Sequence, residues 1–260
     1  MPIAFAGKGI PITPDDIQAA AAALGGDQAA LWSLMAVETQ GFGFLRDRRP
    51  CILFERHIFR LRTGGKYDQE YPNLSNPNPG GYFGGAAEYD RLGKAMQLDE
   101  RAALESASWG LGQVMGYNAV IAGFADVYAM VAAMVAGEDA QLSATTTFIT
   151  ANPPLCTAFR DRDWSRIAFY YNGPDYVRNH YDENLEQHYD EFSIPGNLPD
   201  IDVRTAQVCL FYLDYLLNGV DGLFGPRTLA AVRAFRLGNG LPAGDLDANV
   251  IGLLRSDADI

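Results

Sequence analysis

The sequence predicts a mainly α-helical protein with one minor β element in its larger part and a small separate helical unit at its C-terminal end. Three observations carry that expectation. Apolar residues recur at three-to-four-residue spacing through much of the chain, strand-like runs are scarce, and a proline- and glycine-rich stretch sets off the last sixty or so residues.

In order, Thr13-Pro14-Asp15-Asp16 opens the first helix, with a capping hydroxyl, proline in the first turn and acids at the positive dipole end. A second helix is expected over about 27–39, where Leu31, Leu34, Met35 and Glu38 keep helical spacing and Gly41 stops it. The apolar run Ile52-Leu53-Phe54 reads as a short buried strand. Residues 64–85 are rich in Gly, Pro and Asn, and so long an irregular segment inside a domain is usually functional or mobile. Further helices are expected at 86–97, 99–107, 125–136, 138–151, 164–171 and 177–192. Ser193-Ile194-Pro195-Gly196-Asn197-Leu198-Pro199-Asp200 reads as a linker, giving units of 1–192 and 201–260. The second unit should hold a helix over 202–217, a turn over 218–226, a helix from Arg227 and a last helix to Leu254.

Composition narrows the function classes. Of 260 residues, 48% are hydrophobic and 12% aromatic, enough for a packed core rather than disorder. A net charge of −12 opposes contact with a phosphate backbone, so no nucleic-acid partner is expected. The longest apolar stretch, around 127–135, is too short to span a bilayer, and no basic region precedes an apolar one at the N-terminus. Synthesis in a cytosol without stable membrane insertion is the expectation. Cys51, Cys156 and Cys209 are odd in number and widely spaced, which fits reduced, mostly buried thiols rather than a disulfide framework.

No metal or other cofactor is expected. Of the histidines, His180 and His188 would stand about 12 Å apart along a helix, too far to share one ion. Cys51 enters an apolar run, so burial is a better reading than an activated nucleophile. Carboxylates remain. Glu38 sits near the negative end of an apolar helix, and its neighbours one turn away, Leu34, Met35, Gly41 and Phe42, supply no cation, so its pKa should rise. Glu55 also has apolar neighbours one turn away; it is either a second working acid or an ion-pair partner of Arg46, Arg48, Arg49 or Arg60. Glu105 has Arg101 four residues before it and reads as a surface pair.

Two resemblances follow from residues already in view. Val203, Gln207, Leu210, Leu213, Val220-Asp221-Gly222-Leu223-Phe224-Gly225, Thr228, Ala231-Val232, Phe235 and Gly240-Leu241 closely resemble the three-helix-bundle type of peptidoglycan-binding module. Asp221, Gly222, Phe224, Gly225 and Thr228 are its candidate binding positions, although each glycine is better explained by the turn. Upstream, Ala36-Val37-Glu38-Thr39-Gln40-Gly41-Phe42, Ile52-Leu53-Phe54-Glu55-Arg56-His57, Ser108-Trp109-Gly110-Leu111-Gly112-Gln113 and Phe169-Tyr170-Tyr171-Asn172-Gly173 resemble the N-acetylmuramidase family of phage endolysins over about 15–190.

That resemblance implies a lysozyme-like α+β catalytic domain whose substrate is the peptidoglycan glycan strand. Glu38 is implied as the general acid and Glu55 as the second acid. Ser108, Gln113 and Asn118 fall on the implied cleft turn, Tyr171 and Asn172 on a sugar-contacting motif, while core packing is the better reading for Trp109. Tyr82, in the 64–85 loop, is a further candidate for stacking on a sugar ring. The resemblance also implies a monomer held in the host bacterial cytoplasm until a separate pore-forming protein gives it access to the periplasm and wall. Two other outcomes stay open: a lytic transglycosylase using the same acid, and a wall-binding protein without catalysis. Five arginines against eight aspartates after residue 199 give −3 there, leaving −9 for the larger unit. Peptidoglycan carries carboxylates too, so a dedicated binding unit rather than long-range attraction must bring the protein to the wall.

Overall fold

The structure, a computed structural model, describes residues 3–260. The chain runs α1 (Pro14–Leu24), α2 (Gln28–Thr39), β1 (Ile52–Phe54), α3 (Arg56–Arg62), α4 (Glu88–Leu98), α5 (Glu100–Glu105), β2 (Ala107–Trp109), β3 (Val114–Met115), α6 (Val127–Ala136), α7 (Glu138–Thr150), α8 (Pro153–Asp161), α9 (Trp164–Tyr171), α10 (Tyr181–Phe192), α11 (Ile201–Tyr212), α12 (Pro226–Gly238) and α13 (Ala248–Asp257). The mainly helical expectation holds.

Where expectation and structure part, the causes are local. No helix is expected between 151 and 164, yet Asn152 caps the backbone N–H of Leu155 and Pro153-Pro154 occupy the first turn of α8, where a missing N–H costs nothing. The helix expected at 99–107 ends at Glu105, because Ala107-Ser108-Trp109 turns into a strand too short to show any period. The expected 177–192 helix is a 3-10 turn and then α10, separated by His180 at φ 51°. The expected 202–217 helix closes at Tyr212, and Asp214 takes a φ of 64°.

Three apolar clusters and one seam organise the molecule. Helices α1, α2, α7, α8, α9 and α10 share a first core, with every residue of α2 from Ala29 to Met35 buried inside it. The sheet, α4, α5 and α6 share a second core around Phe54, Phe59, Leu92 and Trp109. Strand order is β1-β2-β3, all antiparallel, with Leu53 opposite Ser108 and Ser108 opposite Met115. Helices α11–α13 build a third core around Leu210, Val232, Phe235 and Leu254. The seam joins Phe42 and Phe44 of the larger part to Val208 and Val220.

Candidate active site

Helix α2 delivers Glu38. Asp27 caps its start by accepting from the backbone N–H of Ala30, and Gln40 and Gly41 end it in the left-handed region, at φ 56° and 87°. Because the helix runs through the middle of its core, its last turn surfaces with Glu38 only half-buried but out of reach of a cation. Burial lifts the Glu38 carboxyl to about 7; a hydrogen bond from the Tyr181 hydroxyl of α10 opposes that rise without cancelling it. Tyr171 of α9 stands close by. Burial first, then the neighbouring Glu38 charge, holds both phenols well above their usual value.

Glu55 lies at the junction of β1 and α3, at the capping position of that helix. Both of its oxygens accept from the Tyr82 hydroxyl, at 2.9 and 2.8 Å, and His57 Nδ1 lies 3.1 Å from one of them. None of the four arginines pairs with it. Arg46 goes to Asp214, Arg49 to Asp47, Arg60 to Asp68, and Arg48 to the carbonyls of Lys8 and Ala258. The reading of Glu55 as an ion-pair partner of those arginines is thereby set aside.

Tyr82 reaches Glu55 because a buried pair on α4 holds its loop. The Glu88 carboxylate accepts from the backbone N–H groups of Phe83, at 2.6 Å, Gly84, at 3.1 Å, and Phe54, at 3.1 Å. Arg91 donates to Glu88 at 2.7 Å and to the carbonyls of Phe54 and Asn73. Sequence reasoning missed this pair, since an i,i+3 Glu-Arg on a helix reads as a surface ion pair. Glu105 does pair with Arg101, at 2.9 Å, and also with Arg62.

The β2–β3 hairpin turn ties the two carboxylate-bearing segments together. Thr39, next to Glu38, donates to the carbonyl of Leu111 at 3.0 Å, and the Tyr171 hydroxyl donates to that of Gly112 at 2.5 Å. On the other side, Gln113 donates to the carbonyls of Cys51 and Gly110 and accepts from the Ser108 hydroxyl at 2.7 Å. Ser108 and Gln113 therefore shape the turn with their polar atoms. Asn118 is half-buried on a 3-10 turn beyond it, Asn172 caps the end of α9 exposed, and Trp109 is fully buried with its indole N–H on the carbonyl of Leu104.

Behind the turn stands α7. Gln141 accepts from the backbone N–H of Leu111 at 2.7 Å, and one helical turn earlier Glu138 accepts from that of Gly43 at 2.9 Å. A side chain at Gly112 would run into Thr145 of the same helix. One helix thus fixes both the segment after Glu38 and the hairpin. A buried glutamate and glutamine in an otherwise ordinary helix carried no sequence signal.

The C-terminal candidates behave differently from one another. Gln207, fully buried on α11, donates to Asp221, Thr228 and the carbonyl of Leu223, and accepts from the backbone N–H groups of Asp221 and Gly222. Asp221 and Thr228 are spent on that turn. Gly222 needs its φ of 75°, and a Cβ there would meet Pro199 at 2.7 Å, whereas Gly225 is extended at the start of α12. Phe224 alone of the five presents a large apolar side chain to solvent.

No group of three or more His, Cys, Asp or Glu side chains fit to hold a metal ion comes together among the described residues. All three cysteines are free, and burial pushes the Cys51 thiol up to about 12. No helix among the described residues is long and apolar enough to cross a membrane.

Known proteins align with both parts. The family model described as N-acetylmuramidase matches residues 27–193, and that of a putative peptidoglycan binding domain matches 200–254. The crystal structure of the Burkholderia AP3 phage endolysin is 42% identical, with a TM-score of 0.63, over 70% of this chain and 71% of that one. A comparison with curated proteins found no match. The first match spans well over half of the chain and, with the site above, defines a glycoside hydrolase of the lysozyme type. Within that class, the chain belongs to the N-acetylmuramidase family, and it carries a C-terminal peptidoglycan-binding domain.

Proposed function

We propose that the protein is an endolysin that hydrolyses the β-1,4 bond between N-acetylmuramic acid and N-acetylglucosamine, with Glu38 as its general acid. The observation that carries this reading is Glu38 itself, an acid whose pKa is lifted to about 7, so that a large share of it stays protonated near neutral pH. Glu38 gives its proton to the oxygen leaving from C4 of N-acetylglucosamine. Water adds at C1 of N-acetylmuramic acid, and Glu55 positions it or takes its proton. The Tyr181 hydroxyl then serves as hydrogen-bond donor to the newly ionised Glu38. The exposed Tyr82 ring beside Glu55, with the exposed Phe83 next to it in the chain, suits stacking on a sugar face. The exposed Asn172 and half-buried Asn118 are available for N-acetyl groups.

On this reading the C-terminal domain, residues 201–260 after a 193–200 connection, brings the enzyme to murein, with Phe224 its best placed contact. The protein acts as a monomer. It waits in the host cytoplasm until a separate pore-forming protein opens the way to the wall, and cleavage there lyses the cell.

Glu38→Gln should bind purified sacculi like the wild type yet release almost nothing from them; normal turnover in that variant would sink the assignment. Glu55→Gln should lose most activity. Mass spectrometry of released fragments decides the chemistry. Reducing N-acetylmuramic ends support hydrolysis, while anhydro ends would make the protein a transglycosylase with the same acid.

A further inference from the structure

The C-terminal domain reaches the backbone that ends the Glu38 helix. Arg204 of α11 is fully buried, and its Nε and Nη2 both donate to the carbonyl of Gly41, at 3.1 and 2.6 Å. Its Nη1 and Nη2 also fork onto the two oxygens of Glu138, each at 2.7 Å. Glu138, equally buried, accepts in addition from the backbone N–H groups of Gly43 and Ile12. The peptide groups on either side of Phe42 are thus gripped by one bidentate ion pair, three residues beyond Glu38. Every polar group of that pair is satisfied, which is the arrangement that makes a buried pair rigid.

Packing repeats the pattern. The Phe42 ring lies edge-on to Phe211, with centroids 5.9 Å apart, and the Arg204 guanidinium sits over both Phe42 and Trp32 of α2. A Cβ on Gly41 would lie 3.1 Å from the carbonyl oxygen of Val220, so the left-handed turn that closes α2 is also shaped to fit the C-terminal domain. Farther along, Arg46 donates to the carbonyl of Leu216 at 3.0 Å and Arg48 to that of Ala258 at 2.5 Å.

We propose that Arg204 is a positioning residue for the muramidase reaction: through Gly41 and Glu138 it fixes the helix end that aims Glu38, so the C-terminal domain completes the catalytic site as well as binding the wall. This rests on Glu38 being the acid. The physical reason is that a reacting group displaced by about 1 Å loses up to ~100-fold in rate, and Arg204 is the side chain that holds the Gly41 carbonyl at the end of the Glu38 helix.

The test uses the full chain and two substrates, purified sacculi and soluble glycan strands freed of stem peptides. Arg204→Met alone would strand the Glu138 charge in the interior, so the informative variant is Arg204→Met/Glu138→Gln, which removes both charges together. Its fold is checked by circular dichroism and melting. We expect kcat on soluble strands to fall tenfold or more, with KM within about twofold and sacculus binding unchanged. The alkaline limb of the pH profile should also move to lower pH, since a loosened helix end admits water to Glu38 and weakens the burial that raises its pKa; Tyr171 and Tyr181, the groups facing it, are untouched. Arg204→Lys supplies a second variant if the double one does not fold, because lysine keeps the charge but lacks the fork that reaches Gly41 and both Glu138 oxygens. A folded variant with normal kcat and an unmoved pH limb overturns the proposal, as does a loss confined to KM on sacculi. Glu38→Gln run in parallel separates the two readings. If it stays active, the acid assignment fails; if it is dead while the Arg204 variants are normal, only the positioning role fails.

Discussion

At the scale of the residue, the environment of Glu38 makes it both useful and expensive. Its carboxyl titrates near 4.5 when unfolded and about 7 when folded, so the native state tolerates the protonated form and resists the ionised one. Stability held below pH 4.5 should therefore be lost progressively as pH rises to about 7, by ~3.5 kcal/mol at most at about 1.4 kcal/mol per pH unit. Glu38→Gln carries no such loss. Its melting temperature should match the wild type near pH 4 and exceed it near pH 8, which thermal melts at the two values check. Tyr181→Phe removes the one bond that lowers the Glu38 pKa, so the alkaline limb of activity should shift to higher pH while most activity remains. An unmoved limb would mean that the phenol does not bear on the acid. Glu38 was legible in the sequence because its neighbours one turn away are all apolar and uncharged. Tyr181, 143 residues away, was not, since nothing in its own surroundings marks a tyrosine that reaches a distant carboxylate.

At the scale of the element, most helices announced themselves through spacing and caps, and the apolar run 52–54 announced β1, whereas β2 and β3, which complete the sheet, did not. Strands of two and three residues are too short for a period, and β2 follows directly on a helix. The sheet exists because Phe54 and Trp109 bury themselves in the second core, a long-range fact invisible along the chain. Helix α4 shows the same limit. Glu88 and Arg91 have the spacing of a surface pair, but both are buried and hold the end of β1 and the Tyr82 loop. Arg91→Met should leave the Glu88 charge uncompensated and cost about 3–5 kcal/mol, far beyond the ~1 kcal/mol ceiling of an exposed pair. Denaturant unfolding measures the difference. A loss below ~1 kcal/mol would mean that the pair is not the interior strut described above. Helix α7 combines both lessons, for its length was expected and its inward Glu138 and Gln141 were not.

At the scale of the whole molecule, the proline- and glycine-rich stretch after residue 192 suggested two bodies on a tether. That stretch lies between α10 and α11, yet the two parts meet through a seam of aromatic rings and a buried ion pair. No local pattern announces such a contact, because Arg204 sits on an otherwise unremarkable helix and finds its partners 66 and 163 residues earlier.

That separation gives the Arg204 contact a meaning in time. A chain leaving the ribosome has made Glu38 and its helix long before residue 204 exists, and closing a loop of 163 residues is slow compared with forming the helices on either side. Competence should therefore arrive last. On dilution from denaturant, helical signal should recover well before turnover of soluble strands, and a variant lacking the Arg204–Glu138 pair should regain its smaller activity without that lag. Simultaneous recovery in the wild type would remove the argument. If Arg204 plays the proposed part, an enzyme assembled in this order reaches full activity only when its final quarter has folded home.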